Sequence, residues 1–133
     1  MTTRTASCSC GQLRVTCEGE PIRVSICHCL DCQKRTGSVF AAQARFPRDR
    51  VTIEGRAAHW TRAGDSGATA MFSFCPVCGS TVSWAPTEPV DFIYVATGAF
   101  ADPNFPPPQI SVYEDRQHPW TRALGEAPME HMA

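Results

Sequence analysis

The chain has almost no charge to spare: 12 Lys and Arg stand against 13 Asp and Glu, a net charge of −1 with His neutral. No basic field draws it to nucleic acid, which argues against nucleic-acid partners. No apolar run approaches the roughly 20 residues that a bilayer-crossing helix needs, so no membrane partner is expected. The segment Met1 to Ser7 is polar and lacks the apolar stretch of an export signal. The expected home is therefore the cytoplasm, where reducing conditions keep thiols free. Internal repeats, low-complexity blocks and a dividing linker are also missing. The 133 residues, 43% hydrophobic and 19% charged, thus read as one globular domain over 1–133. Its core is expected at about 6–122, with a loose tail over 123–133.

Cysteine, by contrast, is plentiful. Seven of the 8 fall into three tight clusters: Cys8-x-Cys10, Cys27-x-Cys29-x-x-Cys32 and Cys75-x-x-Cys78. A secreted disulfide framework is the rival reading. The short spacings and the expected reducing compartment favour a soft metal ion instead. Seven ligands divide into four plus three. Cys75-Pro76-Val77-Cys78-Gly79 has the form of a zinc knuckle, and Cys8-Ser9-Cys10-Gly11 supplies a second half. The trailing glycines allow the left-handed residue such turns use. Four thiolates fill a tetrahedral shell, so this site is structural.

Cys27, Cys29 and Cys32 lie within six residues and have no second half-site. Three thiolates leave one zinc position open, the pattern of a catalytic site. His28, His59 and Cys17 are the candidates for closing it. His28 sits between two ligands and points away on extended backbone. His59 has no other ligand candidate near it in sequence. Cys17 alternates with Leu13 and Val15 and reads as a buried small hydrophobe. An open zinc acidifies a bound thiol and polarises a carbonyl, which suits making or breaking a carbon–sulfur bond.

Period-2 alternation dominates the rest and predicts a mainly β fold of short strands. It runs through Leu13–Cys17, Ile22–Ile26, Ala42–Phe46, Val51–Ile53, Ala70–Phe74, Val82–Trp84 and Phe92–Ala96. One short helical segment is predicted over Cys29–Arg35, stopped by Gly37. Asp102–Pro108 holds four prolines and reads as a stiff loop. Lys34 and Arg35 are candidates for meeting a substrate carboxylate, against the plainer reading of a solvated helix end. Asp31 is read as a water-facing first-turn residue. Glu114, Asp115 and Arg116 read as a strand-end ion-pair network, and Trp60, Trp84 and Trp120 as core.

Taken together, Cys8-x-Cys10-Gly11, Cys27-His28-Cys29-x-x-Cys32 with Arg35-Thr36-Gly37, and Phe74-Cys75-x-x-Cys78-Gly79 resemble the glutathione-dependent formaldehyde-activating enzyme family, which includes centromere protein V-like members. Val112-Tyr113-Glu114-Asp115-Arg116, followed by Pro119-Trp120, is similar to that family's C-terminal pattern. The resemblance implies a β-tent fold of short antiparallel sheets pinned by zinc. It implies Cys8, Cys10, Cys75 and Cys78 as structural zinc ligands, and Cys27, Cys29 and Cys32 as ligands of a catalytic zinc. It further implies a carbon–sulfur lyase-type activity, the condensation of formaldehyde with glutathione to S-hydroxymethylglutathione. Thiol and aldehyde would then be the small-molecule partners, with Lys34 and Arg35 as candidates for holding the thiol. The family often carries a basic residue three positions before the first cysteine of the late knuckle, where this chain has Phe72. The alternatives are a zinc-stabilised binding module for a protein partner and a redox or metal-buffering protein.

Overall fold

A computed structural model describes residues 1–64, 66–88, 91–126 and 129–133, with side chains of 123–126 outside the description. Among the described residues the chain is mainly β. Strands β1 (Thr3–Ser7), β2 (Arg14–Glu18) and β5 (Val51–Glu54) form a three-stranded antiparallel sheet in the order β1-β2-β5. The larger sheet holds β3 (Arg23–Cys27), β4 (Ala41–Pro47), β6 (Ala58–Ala63), β7 (Thr69–Phe74), β8 (Thr81–Pro86), β9 (Phe92–Ala96), β10 (Ile110–Val112) and β11 (Glu130–His131). Its order is β11-β10-β3-β4-β9-β8-β7-β6. No helix among the described residues is long and apolar enough to cross a membrane.

Alternation works where one strand face meets the core. In β2, Val15 and Cys17 are fully buried, whereas Arg14 and Glu18 face solvent. Ala44 and Phe46 of β4 do the same for the large sheet. The core sits between the sheets: Ala6, Leu13, Val15 and Cys17 meet Val24, Ala44, Phe46, Ile93 and Val95. Each large side chain buried there contributes about 1.5–3 kcal/mol. Phe105, from the proline-rich loop, stacks on Phe100 with ring centroids 4.6 Å apart and seals one end. The one α-helix among the described residues, α1 (Leu30–Thr36), is capped by Cys29 and ended by Gly37 at φ 69°, shifted one residue toward the C-terminus from the predicted stretch.

Three expectations change. The large sheet is mixed, not antiparallel throughout, because β10 runs parallel to β3 and β11 parallel to β10. The tail expected to be loose supplies β11, since the open edge of β10 offers backbone groups that need partners. Met132 N–H donates to Ser111 O and Glu130 N–H to Gln109 O, each at 2.9 Å. Trp60 and Trp120 are not core; both are more than half exposed.

Candidate metal centres and the cavity beside the cysteine trio

The turn after β1 carries Cys8 and Cys10, and the turn between β7 and β8 carries Cys75 and Cys78. Their four Sγ atoms all lie within 4.8 Å of one another. Cys8 and Cys10 are 3.6 Å apart, and Cys10 and Cys75 3.7 Å. A tetrahedral zinc with bonds of about 2.3 Å to thiolate places its sulfurs about 3.8 Å apart, so the donor set fits. Backbone donors face the sulfurs: Leu13 N–H reaches Cys8 Sγ at 3.3 Å, and Val77 N–H reaches Cys75 Sγ at 3.3 Å. Gln12 Nε2 donates to Cys75 Sγ at 3.0 Å. Such donors stabilise thiolate ligands. Hydrogen bonding from Ser80, backbone first, brings Cys78 down to about 5. Gly11 and Gly79 hold φ of 84° and 81°, the left-handed residues the knuckle turns require. Ser9 and Ser80 bridge the two turns through their hydroxyls at 2.9 Å.

Cys27 ends β3, Cys29 caps α1 and Cys32 lies in its first turn; all three are buried, and their Sγ atoms lie within 4.8 Å of one another. Cys32 N–H donates to Cys29 Sγ at 3.3 Å, so the cap and the ligand are one atom. Hydrogen bonds from Cys27, then Cys29, with help from Arg62 and Arg35, bring Cys32 down to about 2. Cys27 is pushed upward, chiefly by its hydrogen bonds to Cys29 and Cys32. Three convergent sulfurs are a donor set that suits a soft divalent ion.

Among the described residues no further His, Cys, Asp or Glu joins this trio. His28 is buried on the other side of the loop, with Nε2 3.0 Å from Ser111 Oγ. His59 Nδ1 lies 3.1 Å from Ser73 Oγ. Cys17 is packed in the core between the sheets. All eight cysteines are free thiols, so the disulfide reading is not taken up.

The trio opens on a cavity of about 170 Å³ walled by Phe72, Trp84, Tyr94 and Tyr113, with Gln43 and Arg62 on its lining. The walls follow from register. Trp60 pairs Phe72, Phe72 pairs Trp84 and Trp84 pairs Tyr94 across β6 to β9, so one sheet face carries an aromatic row. Arg35 leans onto this row, its guanidinium carbon 4.2 Å from the Trp84 ring centroid and 5.2 Å from that of Phe72. Arg62 lies 4.7 Å from the Phe72 centroid and 4.0 Å from Cys32 Sγ. Arg35 is therefore not a solvated helix end. Burial lowers its affinity for its proton, against the attraction of Cys32. Lys34 stays exposed on an outer groove of about 290 Å³ that shares Asp31 and Arg62 with the cavity. Asp31 is half-buried on the rim of both spaces, not simply water-facing. Trp84 is buried but lines the cavity. Around Glu114, His131 Nδ1 lies 2.8 Å from Glu114 Oε2, and Arg116 pairs with Asp115 at 3.6 Å, in line with a strand-end network.

Gln43, Arg62, Tyr94 and Tyr113 escaped the sequence reading as site residues. Arg62 carried no signal of its own, because the strand that holds it shows no apolar alternation.

The profile of the glutathione-dependent formaldehyde-activating enzyme family matches residues 3–116. The chain belongs to this family. The family match spans both cysteine sites and the aromatic wall. A protein of Rhodobacter sphaeroides with a solved crystal structure shares the fold, with a TM-score of 0.58 at 16% identity over 97% of this chain and 99% of that one. No curated protein matches the chain.

Proposed function

We propose that this member of the formaldehyde-activating family is a zinc-dependent, carbon–sulfur lyase-type enzyme acting on a thiol–aldehyde adduct, similar to S-(hydroxymethyl)glutathione synthase. One observation carries the reading: three convergent cysteines with no fourth ligand among the described residues face a walled cavity. Cys8, Cys10, Cys75 and Cys78 would hold a structural zinc, and Cys27, Cys29 and Cys32 a second one. Zinc bound to the trio would supply Lewis acidity and make a bound thiol acidic.

The chain's own residues supply the rest. The three cysteines are ligands, not nucleophiles. Phe72, Trp84, Tyr94 and Tyr113 exclude water, which strengthens each electrostatic contact inside. Lys34, on the outer groove, would meet a distal carboxylate of a glutathione-like thiol. Arg35, drawn inward beside Cys32, stands with the reacting atoms. In the forward direction the thiol gives up its proton, sulfur joins the aldehyde carbon and the carbonyl oxygen takes up a proton. The reverse expels the thiol and restores the carbonyl.

The test is metal analysis followed by cobalt substitution and a glutathione titration. Two metal equivalents per chain and a shift in the cobalt absorption on adding thiol are expected. Cys27→Ser should lose one equivalent, the thiol response and the activity. Two closed four-ligand spheres and no thiol response would favour the protein-binding module instead.

A further inference from the structure

Arg35 and Arg62 stand close together beside Cys32, on the outer groove that adjoins the cavity, and Arg62 lines both spaces. Both guanidinium groups lie over the Phe72 ring, at 5.2 and 4.7 Å. Among the described residues neither forms an ion pair with a carboxylate. Arg35 Nε and Nη2 are buried without a hydrogen-bond partner. These two nitrogens form one edge of the guanidinium plane, the edge whose spacing matches the two oxygens of a carboxylate. Ring stacking on Trp84 holds that plane in place before any ligand arrives. Gln43 Oε1, also on the cavity lining, is buried and unpaired, and accepts from an O–H or N–H donor. Two adjacent cations and an unsatisfied fork are costly to bury; the Cys32 sulfur offsets part of that cost, and a carboxylate beside them offsets more.

The position of the anion can be bounded. Arg62 Nη2 lies 4.0 Å from Cys32 Sγ, a sulfur of the trio itself. A carboxylate held there sits beside the carbon that joins sulfur. In a peptide thiol the carboxylates are several bonds from the sulfur and would fall in the outer groove near Lys34.

We propose that Arg35 and Arg62 form a carboxylate clamp for the carbonyl partner, so that this enzyme takes a short oxo-carboxylate in place of formaldehyde. The clamp rests on the function proposed above and names the substrate class of the same site. The step balances without oxidant or reductant. The thiol S–H is lost, a bond forms from sulfur to the aldehyde carbon beside the carboxylate, and the carbonyl electron pair takes up the proton as a hydroxyl. The product hydroxyl is then a donor for Gln43 Oε1.

The experiment uses zinc-loaded protein, glutathione and three aldehydes: glyoxylate, acetaldehyde and formaldehyde. Adduct formation is followed above the uncatalysed rate, and glyoxylate binding without thiol is followed by saturation-transfer NMR. Glyoxylate should exceed acetaldehyde, its uncharged counterpart of similar size, by about tenfold or more in kcat/KM. Arg62→Gln and Arg35→Gln should each collapse that ratio toward one and weaken glyoxylate binding at unchanged zinc content. A wild-type protein that treats glyoxylate and acetaldehyde alike overturns the clamp without any variant. So does a ratio that survives both substitutions. Variants that lose zinc but keep the ratio would show that the arginines serve the thiolates, which also overturns it. A preference that follows the thiol's charge, seen with glutathione against its diethyl ester at fixed acetaldehyde, overturns it in favour of a thiol clamp. In each of these results the cobalt site still answers to thiol; if no thiol perturbs it and no aldehyde reacts, the enzyme reading itself fails.

Discussion

Gln12 does the work of three residues. Its Nε2 donates to Cys75 Sγ at 3.0 Å and to Arg56 O at 2.7 Å, while its Oε1 accepts from Arg56 N–H at 2.9 Å. The amide thus ties a proposed zinc ligand to the chain just after β5. Gly55 makes room for it: at φ +96°, a Cβ there would meet Gln12 O at 2.0 Å. Gln12→Ala should weaken the four-cysteine site by about tenfold or more in chelator competition, as loss of groups supporting metal ligands commonly does. Gly55→Ala should do the same from a residue that touches no sulfur. Unchanged metal retention in both would show that the amide only braces the loop. Cys17 gives a second test at this scale. Burial pushes its thiol from the ordinary 9.0 up to about 12, with Arg4 pulling slightly the other way. The raised value means that the folded state keeps a proton which the unfolded chain sheds above pH 9. Its contribution is therefore complete below pH 9 and is lost progressively between pH 9 and about 12. Cys17→Val should flatten that part of the stability–pH curve, read by denaturant melts at several pH values. An unchanged slope would mean that the thiol already titrates freely in the fold.

α1 has seven residues, too few to stand as an isolated helix. It is held by its ends and by Gln33. Cys29 caps the start, Gly37 N–H closes on Gln33 O at 2.9 Å, and Gln33 Nε2 donates to His28 O and Arg116 O at 2.9 and 3.1 Å. Cap and ligand can therefore be separated. Serine is a strong N-cap but no thiolate. Cys29→Ser should keep helical backbone chemical shifts over 30–36 while one metal equivalent is lost; a melted helix would mean that the ion, not the cap, forms α1. The same element shows what was readable beforehand. α1 was legible because its glycine stop lies next to it in sequence, and β2 and β4 because each buries alternate residues. Both cysteine clusters were legible for a related reason: CxC and CxxC spacings bring sulfurs together locally. β6 was not legible, because its Trp60 and Thr61 face solvent and no apolar alternation marks it. β10 and β11 exist through parallel pairings between distant segments, which local pattern does not encode. Arg62 was hidden with β6, and Phe72 looked like the loss of a cation. In space, Phe72 is the ring over which two cations sit.

The whole molecule is two sheets that share a core but, among the described residues, no strand pairing. What crosses between them at one end is the four-cysteine cluster, whose halves are 65 residues apart in sequence at Cys10 and Cys75. One half hangs from the small sheet and the other from the large one. An ion there would act as a staple on a long loop, whereas the trio lies within one loop and its helix, on the large-sheet side. Structural zinc supplies an apparent binding energy of about 10–16 kcal/mol, as much as the entire stability of about 5–15 kcal/mol of an ordinary domain. The two ions should therefore leave in order and with different consequences. A chelator titration should first withdraw the trio's ion, which has three protein ligands, with no change in melting temperature beyond the loss of ligand-linked stabilisation. The second ion should leave only as the domain unfolds. Cys27→Ser should accordingly fold with one metal equivalent, and Cys75→Ser should fail to fold or melt at far lower temperature. Following metal release and near-UV circular dichroism in one titration checks this. A single transition in which both ions and the fold disappear together would mean that the trio is also structural, and a folded metal-free Cys75→Ser protein would mean that the core between the sheets suffices without the staple.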